Sequence, residues 1–330
     1  MINGAVIRKL KKILGSEHIL TDSSELIAYS YDGQPVSAMP DAMVLAARTQ
    51  DVVSVVKLAS EHHIPIVARG AGSGMTGGSV PEQGGIVLNL ERMNRIIRID
   101  EEDRIGYVQP GVITGVFQKE VAKHGLFYPP EPASAEFSSI GGNVAESAGG
   151  LGCVKYGLTK QFVEGLEFVT AAGDIVHTGI YTDKDSPFDV GAVLSGSEGT
   201  LGIVTEIALR LIPLPETRMT VLAHFRTLVD AAHASNAVLH SGAGPAVLEF
   251  MDGHCIDTVR DYVDVDIPEG TGALLIVELD GDVHQVMAGH ELVLNVLKRV
   301  HPIELKSAST EEERTELWKL RKSLSPAIAK

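Results

Sequence analysis

A glycine-rich loop, Arg69–Gly78, follows one short apolar run, Ile66–Arg69, and precedes a second, Ile86–Leu90. Both runs are predicted to be strands. Glycine allows positive φ and close approach of the backbone to a ligand, and consecutive N–H groups in such a loop form an anion-binding nest. The loop therefore predicts a phosphate or pyrophosphate site, with a flexible surface turn as the alternative, because short glycine motifs also occur by chance.

Two familiar phosphate-binding motifs do not fit this loop. Gly72, Gly74 and Gly77 have the spacing of a dinucleotide fingerprint, but that motif needs a helix directly after the glycines. Here residues 79–85 contain Pro81 and two more glycines and lead into a strand. A P-loop needs Gly-Lys-Ser/Thr, which does not follow. Both motifs are excluded.

Four later segments have a similar character. Pro129–Ser134 contains three prolines and is predicted to be stiff and extended. Ser139–Ala145 is predicted to start a helix that Ser139 caps, with a glycine-rich first turn open to an anion. Gly149–Gly152 and Gly196–Val204 are further glycine-rich turns. Together these segments predict one large ligand that is contacted mainly by backbone.

Helix and strand patterns alternate along the chain, which indicates an α/β or α+β architecture. Pro213 and Pro215 interrupt the pattern, and we expect the domain boundary there, giving domains 1–215 and 216–330. Residues Ile203–Leu211 alternate between apolar and polar and are predicted to be a strand. The second domain is predicted to contain strands that alternate with helices, among them a helix over about Leu228–Leu239. It is predicted to end in one polar helix from about Thr310 to Lys330.

The chain carries 28 basic and 43 acidic side chains, a formal net charge of −15. This charge argues against nucleic acid as a partner, and it means that an anionic substrate needs a local cluster of cations. Cys153 and Cys255 are too few for a disulfide framework or a four-thiolate cluster. The sequence has no signal-peptide pattern and no apolar run of membrane-spanning length, so a soluble, cytoplasmic protein is expected.

The chain resembles the FAD-binding fold of the vanillyl-alcohol oxidase and p-cresol methylhydroxylase (PCMH) type, most clearly between about Asp41 and Pro215. Four motifs carry the resemblance, in this order: Val67–Gly78, Pro129–Ser134, Ser139–Gly150 and Gly196–Gly202. The branch that the chain resembles most contains the glycolate oxidase large subunit and the D-lactate and D-2-hydroxyglutarate dehydrogenases. The resemblance implies an α+β protein, with a two-subdomain FAD-binding domain followed by an α/β, ferredoxin-like cap domain. Relatives usually continue beyond this point, so we expect the cap domain to be truncated at its C-terminus. Either the chain is a fragment, or another polypeptide completes its site.

The resemblance assigns cofactor contacts in three groups. The pyrophosphate would lie on the first loop, at Arg69, Gly70, Ala71, Gly72, Ser73, Gly74 and Gly77. The flavin and its ribityl chain would lie along Pro130, Pro132, Ser139, Gly141, Gly142, Asn143 and Ala145, beside Gly149 and Gly150. The adenosine end would meet Glu198, Gly199, Gly202, Ile203 and Val204. Relatives with covalent flavin often have a histidine in the first loop; this loop has neither His nor Cys, so non-covalent FAD is predicted.

The reaction that the resemblance implies is hydride transfer from a small 2-hydroxy acid to flavin N5. The segment Leu317–Arg321 resembles a helix with a substrate-binding arginine, so Arg321, and Ser325 one turn later, are candidates for binding the substrate carboxylate. The alternative is a solvated arginine paired with Glu313 or Glu316. No catalytic residue and no metal ligand is assigned, because the scattered histidines lack metal-ligand spacing.

Electrons must leave the flavin for an external acceptor, since the chain has neither a dinucleotide fingerprint nor iron–sulfur cysteines. An iron–sulfur partner subunit, an electron-transfer flavoprotein, quinone and oxygen all remain open, as do homo- and hetero-oligomers. Two other interpretations remain. In the first, the chain is an FAD-linked oxidase or reductase that acts on another class of substrate. In the second, it is a flavin carrier that relays electrons inside a larger complex.

Overall fold

A computed structural model describes residues 2–182, 188–260 and 262–328 of the chain. The chain divides into two compact units. Unit 1 consists of Met1–Gly150 and Leu158–Pro213, and unit 2 of Leu151–Gly157 and Leu214–Lys330.

The helices and strands are numbered along the whole chain. The helices are α1 (Gly4–Leu14), α2 (Ser23–Leu26), α3 (Thr49–Glu61), α4 (Thr114–Ala122), α5 (Ile140–Glu146), α6 (Cys153–Tyr156), α7 (Val190–Leu194), α8 (Leu228–Leu239), α9 (Gly253–Arg260), α10 (Val283–Lys298), α11 (Glu311–Lys322) and α12 (Leu324–Ile328). The strands are β1 (Ile19–Leu20), β2 (Ala42–Leu45), β3 (Ile66–Arg69), β4 (Ile86–Asn89), β5 (Ile96–Asp100), β6 (Ile105–Val108), β7 (Leu126–Phe127), β8 (Val163–Val169), β9 (Ile175–His177), β10 (Ile203–Arg210), β11 (Ile212–Pro213), β12 (Thr217–Phe225), β13 (Val247–Asp252), β14 (Ala273–Gly281) and β15 (Glu304–Ala308). Short 3-10 turns occur at Ser16–His18, Ile27–Tyr29, Thr159–Phe162 and Gly179–Tyr181.

Unit 1 is built on two main sheets. The first has the order β1-β2-β4-β3, in which β2 and β3 both run parallel to β4. The second has the order β5-β6-β10-β8-β9 and is antiparallel throughout. Apolar side chains of α1 and α3, among them Leu10 and Val55, are fully buried in a core with Ile86 and Leu88 of β4. These two sheets are the two subdomains that the PCMH resemblance implies.

The glycine-rich loop leaves the end of β3, which is an edge strand of the first sheet. Residues 70–85 form neither helix nor strand before β4 begins. The exclusion of the dinucleotide fingerprint is confirmed, because that motif requires a helix at this point.

Unit 2 is a four-stranded antiparallel sheet with the order β13-β14-β12-β15. With α8 and α10 as crossovers this is a βαββαβ, ferredoxin-like arrangement. Because side chains alternate along a strand, Val221, Ala223 and Phe225 of β12 pack with α8 and α10 on one face. The opposite face carries Leu222 and packs with Trp318 of α11.

Two sequence-based expectations are corrected by the fold. The strands β1, β5, β7, β11 and β15 were not predicted, because they are short and their apolar pattern is weak. The single helix expected over residues 310–330 is two helices that break at Ser323. The physical reason is Pro326, which has no N–H and so cannot bond to the carbonyl of Lys322 as a continuous helix requires.

Candidate functional site

Three of the predicted segments lie next to one another in unit 1. The Glu198 N–H donates to the carbonyl of Ala145 at 2.8 Å, and the Gly196 N–H donates to the carbonyl of Val144 at 3.0 Å. The hydroxyl of Thr76 donates to Oε2 of Glu198 at 3.2 Å. The glycine-rich loop, the end of α5 and the turn before β10 therefore form one surface.

Several glycines on this surface have no room for a side chain. A Cβ atom at Gly70 would lie 2.1 Å from the hydroxyl oxygen of Ser139. A Cβ at Gly150 would lie 2.1 Å from the carbonyl oxygen of Glu131. These contacts join the first loop to the start of α5, and the second glycine cluster to the proline-rich stretch. At these two points, glycine permits a close approach that a larger residue would prevent.

The backbone of the first loop presents a row of unused donors. The N–H groups of residues 70–76 make no hydrogen bond to another group in the part of the chain that the structure describes, whereas the Gly77 N–H donates to Oδ2 of Asp32 at 3.0 Å. Residues 70–74 are partly buried, so an acceptor at this surface would satisfy donors that are partly withdrawn from solvent. A row of this kind fits the oxygen atoms of a pyrophosphate.

Arg69 holds the loop in place. It is only 6% exposed, and its Nη1 donates to the carbonyl of Tyr31 at 2.7 Å. Its Nη2 donates more weakly to the carbonyl of Ala28 at 3.4 Å. Burial lowers the pKa of Arg69. The guanidinium thus contributes to the site mainly by anchoring the loop, and the loop's attraction for an anion comes from backbone dipoles.

The segment Tyr29–Gln34, for which the sequence analysis found no role, supports the loop from behind. The Gly33 N–H donates to the carbonyl of Gly74 at 2.8 Å, and the side chain of Gln34 donates to the carbonyl of Met75. Asp32 is buried and accepts from the Gly77 N–H. The Asp32-Gly33 pair, a common turn sequence, is the one signal that could have marked this segment.

The helix α5 differs from its prediction in one respect. Ser139 caps the helix as predicted, accepting from the Gly142 N–H at 3.3 Å. The Ile140 and Gly141 N–H groups, however, donate to the carbonyls of Val112 and Pro110, both at 2.8 Å. The expected anion site at this helix end is therefore wrong, because the turn before α4 already occupies its donors.

The remaining predicted cofactor residues differ in their exposure. Four are buried: Pro130, Ser139, Asn143 and Ile203. Asn143 donates from Nδ2 to the Thr114 hydroxyl at 2.6 Å, so its amide nitrogen ties α5 to α4. The others are partly or fully exposed: Ala71, Ser73, Pro132, Gly141, Gly142, Ala145, Gly149, Gly150, Glu198, Gly199, Gly202 and Val204. Their contacts with a cofactor stay a prediction.

A cavity of about 390 Å³ opens beside the loop at the edge of β3. It is lined by Pro65, Val67, Thr76, Gly77, Gly78, Val80, Glu82, Gln83, Gly84 and Glu198. Its wall combines apolar surface with carboxylate and amide acceptors. Such a wall can pack against an aromatic ring and accept hydrogen bonds from hydroxyl groups.

Glu146 places a titratable group against the loop. Its Oε1 lies 2.2 Å from the position that a Cβ atom at Gly74 would occupy. Burial raises the pKa of Glu146, and the neighbouring carboxylates of Glu198 and Asp32 raise it further. The fold thus favours protonated Glu146, and its contribution to stability is lost as the pH rises through the raised pKa.

Replacing Glu146 by Gln should therefore raise the melting temperature of the apoprotein at pH 8, with no gain at pH 4. At pH 8 it should also tighten FAD binding about threefold, the size of one charge–charge interaction near a surface. Melting curves and FAD titrations at both pH values measure these effects. A gain of equal size at pH 4 would show that the carboxylate's charge is not the cause.

Arg321 in unit 2 forms an ion pair, but its partner is neither Glu313 nor Glu316, the two residues that the sequence suggested. Its Nε donates to Oε2 of Glu249 on β13 at 2.6 Å. Glu313 instead caps α11, and Glu316 pairs with Lys319. The local pairing considered as the alternative is therefore wrong. The side chain of Ser325, the other predicted substrate contact, lies outside the described part of the structure.

Trp318 fixes the helix that carries Arg321. Its indole Nε1 donates to Oε2 of Glu278 at 3.0 Å, and the Thr220 hydroxyl donates to the same oxygen at 2.7 Å. Trp318 and Glu278 are both buried. Sequence reasoning did not find this cluster, because a lone acidic residue in an apolar strand gives no local indication of its partner.

The described residues include no group of three or more His, Cys, Asp or Glu side chains arranged to hold a metal ion. No helix among them is both long enough and apolar enough to cross a membrane.

The fold defines the class of the protein. The structure superposes on that of p-cresol methylhydroxylase with substrate bound, with a TM-score of 0.81 at 24% identity. The superposition covers 97% of this chain and 68% of the p-cresol methylhydroxylase chain. Residues 40–179 match the model of the FAD binding domain, and residues 214–330 match that of the FAD linked oxidases, C-terminal domain. The chain is an FAD-binding protein of the PCMH type.

Its relatives narrow the class to a family. The chain is 39% identical to the glycolate oxidase subunit GlcD of Bacillus subtilis (strain 168), over 100% of this chain and 71% of the relative. It is 31% identical to the D-lactate dehydrogenase of Anaerostipes hadrus, over 98% of this chain and 70% of the relative. The chain belongs to the FAD-linked oxidase family.

Proposed function

We propose that this chain carries the FAD of an oxidoreductase that converts a small 2-hydroxy acid, of the glycolate, D-lactate or D-2-hydroxyglutarate class, to the 2-oxo acid. The observation that carries the proposal is the row of unbonded N–H groups at residues 70–76, in a family whose relatives are named for hydroxy acids. The reaction removes two electrons and two protons from the substrate.

The residues present fit FAD as the cofactor. The N–H row would hold the pyrophosphate, and the cavity beside Thr76 and Glu198 would take one end of the dinucleotide. When bound, FAD supplies the two-electron acceptor for the hydride that leaves the substrate carbon. The loop contains no His or Cys to bond the flavin, so precipitation with acid should release the yellow colour into the supernatant.

Arg321 is the proposed ligand of the substrate carboxylate. Since Glu249 uses Nε, the two Nη groups remain to bind both carboxylate oxygens. Ser325, one turn later, is the second proposed contact. No described residue is assigned as the base that takes the hydroxyl proton. The proposal also includes a cytoplasmic location and an external electron acceptor, either an iron–sulfur subunit or an electron-transfer flavoprotein.

Anaerobic mixing with a panel of hydroxy acids tests this proposal. We expect at least one of D-lactate, glycolate and D-2-hydroxyglutarate to bleach the visible absorption band of the flavin. Bound FAD that dithionite reduces, but that no hydroxy acid reduces, would contradict the proposal. That result would favour a chain that only relays electrons within a larger complex.

A further inference from the structure

We infer that Glu249 is a positioning residue that orients Arg321 for a substrate carboxylate. This inference rests on the proposed function, because it assumes that Arg321 binds that carboxylate. It concerns one acidic side chain on β13, which the sequence patterns gave no reason to select.

The contact uses only one edge of the guanidinium. Glu249 Oε2 accepts from Nε of Arg321 at 2.6 Å, and Nη1 and Nη2 make no hydrogen bond with the described residues. A guanidinium has five N–H donors, so the end formed by the two Nη groups keeps its fork for a second carboxylate. The Arg321 side chain is 25% exposed and that of Glu249 is 26% exposed, so the pair is only partly buried.

The backbone under this pair is already fixed. Glu249 lies opposite Ile276 in the register of β13 and β14, on the sheet face that packs with α11. The helix itself is fixed by the Trp318–Glu278 hydrogen bond and by the capping box of Thr310. The remaining freedom is that of the long Arg321 side chain, and the contact with Glu249 restricts it.

A competing role would have the opposite effect. If Glu249 were a counter-ion that the substrate must displace, its removal would tighten substrate binding. The observed contact is with Nε and not with the Nη fork, so substrate and Glu249 can bind at the same time. Holding a binding group in place beforehand improves affinity by reducing the side-chain entropy lost on binding.

The test compares Glu249→Ala and Glu249→Gln in the FAD-loaded protein. We expect Glu249→Ala to raise KM for the hydroxy acid about tenfold, with kcat changed by less than about twofold, because a freely rotating arginine binds less tightly. Glu249→Gln should restore most of the affinity, since its amide oxygen can still accept from Nε. Glu312→Ala, which removes an exposed acid from α11, is the matched control and should leave KM unchanged.

Three results would overturn the inference: an unchanged KM in Glu249→Ala, a lowered KM, or a Gln variant no better than Ala. Calorimetry with oxalate, which has no C–H hydrogen to transfer as hydride, separates this inference from the proposed function. If no hydroxy acid reduces the wild-type flavin, the proposed function fails. Oxalate should still bind the wild type more tightly than Glu249→Ala, and equal or undetectable binding to both would overturn the inference.

Discussion

The Gly72→Ala protein should bind FAD at least about a hundredfold more weakly than the wild type. Gly72 has φ of +66°, a conformation that costs an alanine about 1–2 kcal/mol. Its new Cβ would lie 2.1 Å from Nη2 of Arg69. The guanidinium would have to leave the carbonyl of Tyr31, which anchors the loop. The N–H row of residues 70–76 would then lose its orientation, and a hundredfold loss corresponds to about 2.7 kcal/mol.

Gly125→Ala is the matched control. Gly125 follows α4, has φ of +67° and has no atom within 4 Å of an added Cβ. An alanine at this position therefore has the same conformational cost of a positive φ, but it causes no clash and lies outside the glycine-rich loop. Fluorescence titration of the apoproteins with FAD measures both affinities, and circular dichroism checks the fold. Wild-type affinity in Gly72→Ala would contradict the role given to this loop.

The Arg321→Ala protein should show KM for its hydroxy acid raised roughly a hundredfold, with an unchanged FAD content. Two charge-assisted hydrogen bonds to the substrate carboxylate would be lost, each worth about 1.5–3 kcal/mol. Arg321→Lys should lose less, because a lysine keeps the charge but not the planar fork. Glu249, left without its partner, is 26% exposed, so the fold should lose no more than about 1 kcal/mol.

Lys319→Ala controls for the lost charge. Lys319 lies on the same helix, pairs with Glu316 at 3.5 Å and is 40% exposed. Steady-state kinetics should show a nearly unchanged KM for this variant. A similar rise in KM in both variants would indicate that the general charge of α11 matters, and not a specific contact of Arg321.

Local patterns predicted the parts of the fold that depend on local physics. The helix α8 has the predicted bounds, Leu228–Leu239, because its apolar spacing is regular and Thr227 caps it. The alternating residues of β10 and the glycine-rich loop between β3 and β4 were also found from spacing alone. In each case the residues that decide the structure lie within a few positions of one another.

The features that sequence reasoning missed depend on distant contacts. Arg321 pairs with a residue 72 positions away, whereas spacing along a helix suggested only neighbours on the same helix. Tyr31 accepts from a side chain 38 positions later. The donors at the start of α5 bond to Pro110 and Val112, which no capping rule anticipates. The motifs located the site, but only the tertiary structure shows which donors remain available for a ligand.

Calorimetric titration of the apoprotein with FAD and with FMN tests most directly whether the backbone of residues 70–76 binds a pyrophosphate. FMN has the same isoalloxazine ring, ribityl chain and first phosphate, but it lacks the second phosphate of the pyrophosphate and the adenosine. We predict that FAD binds at least about a hundredfold more tightly than FMN, a difference of about 2.7 kcal/mol. Equal affinities would contradict the account, because the flavin end alone would then carry the binding.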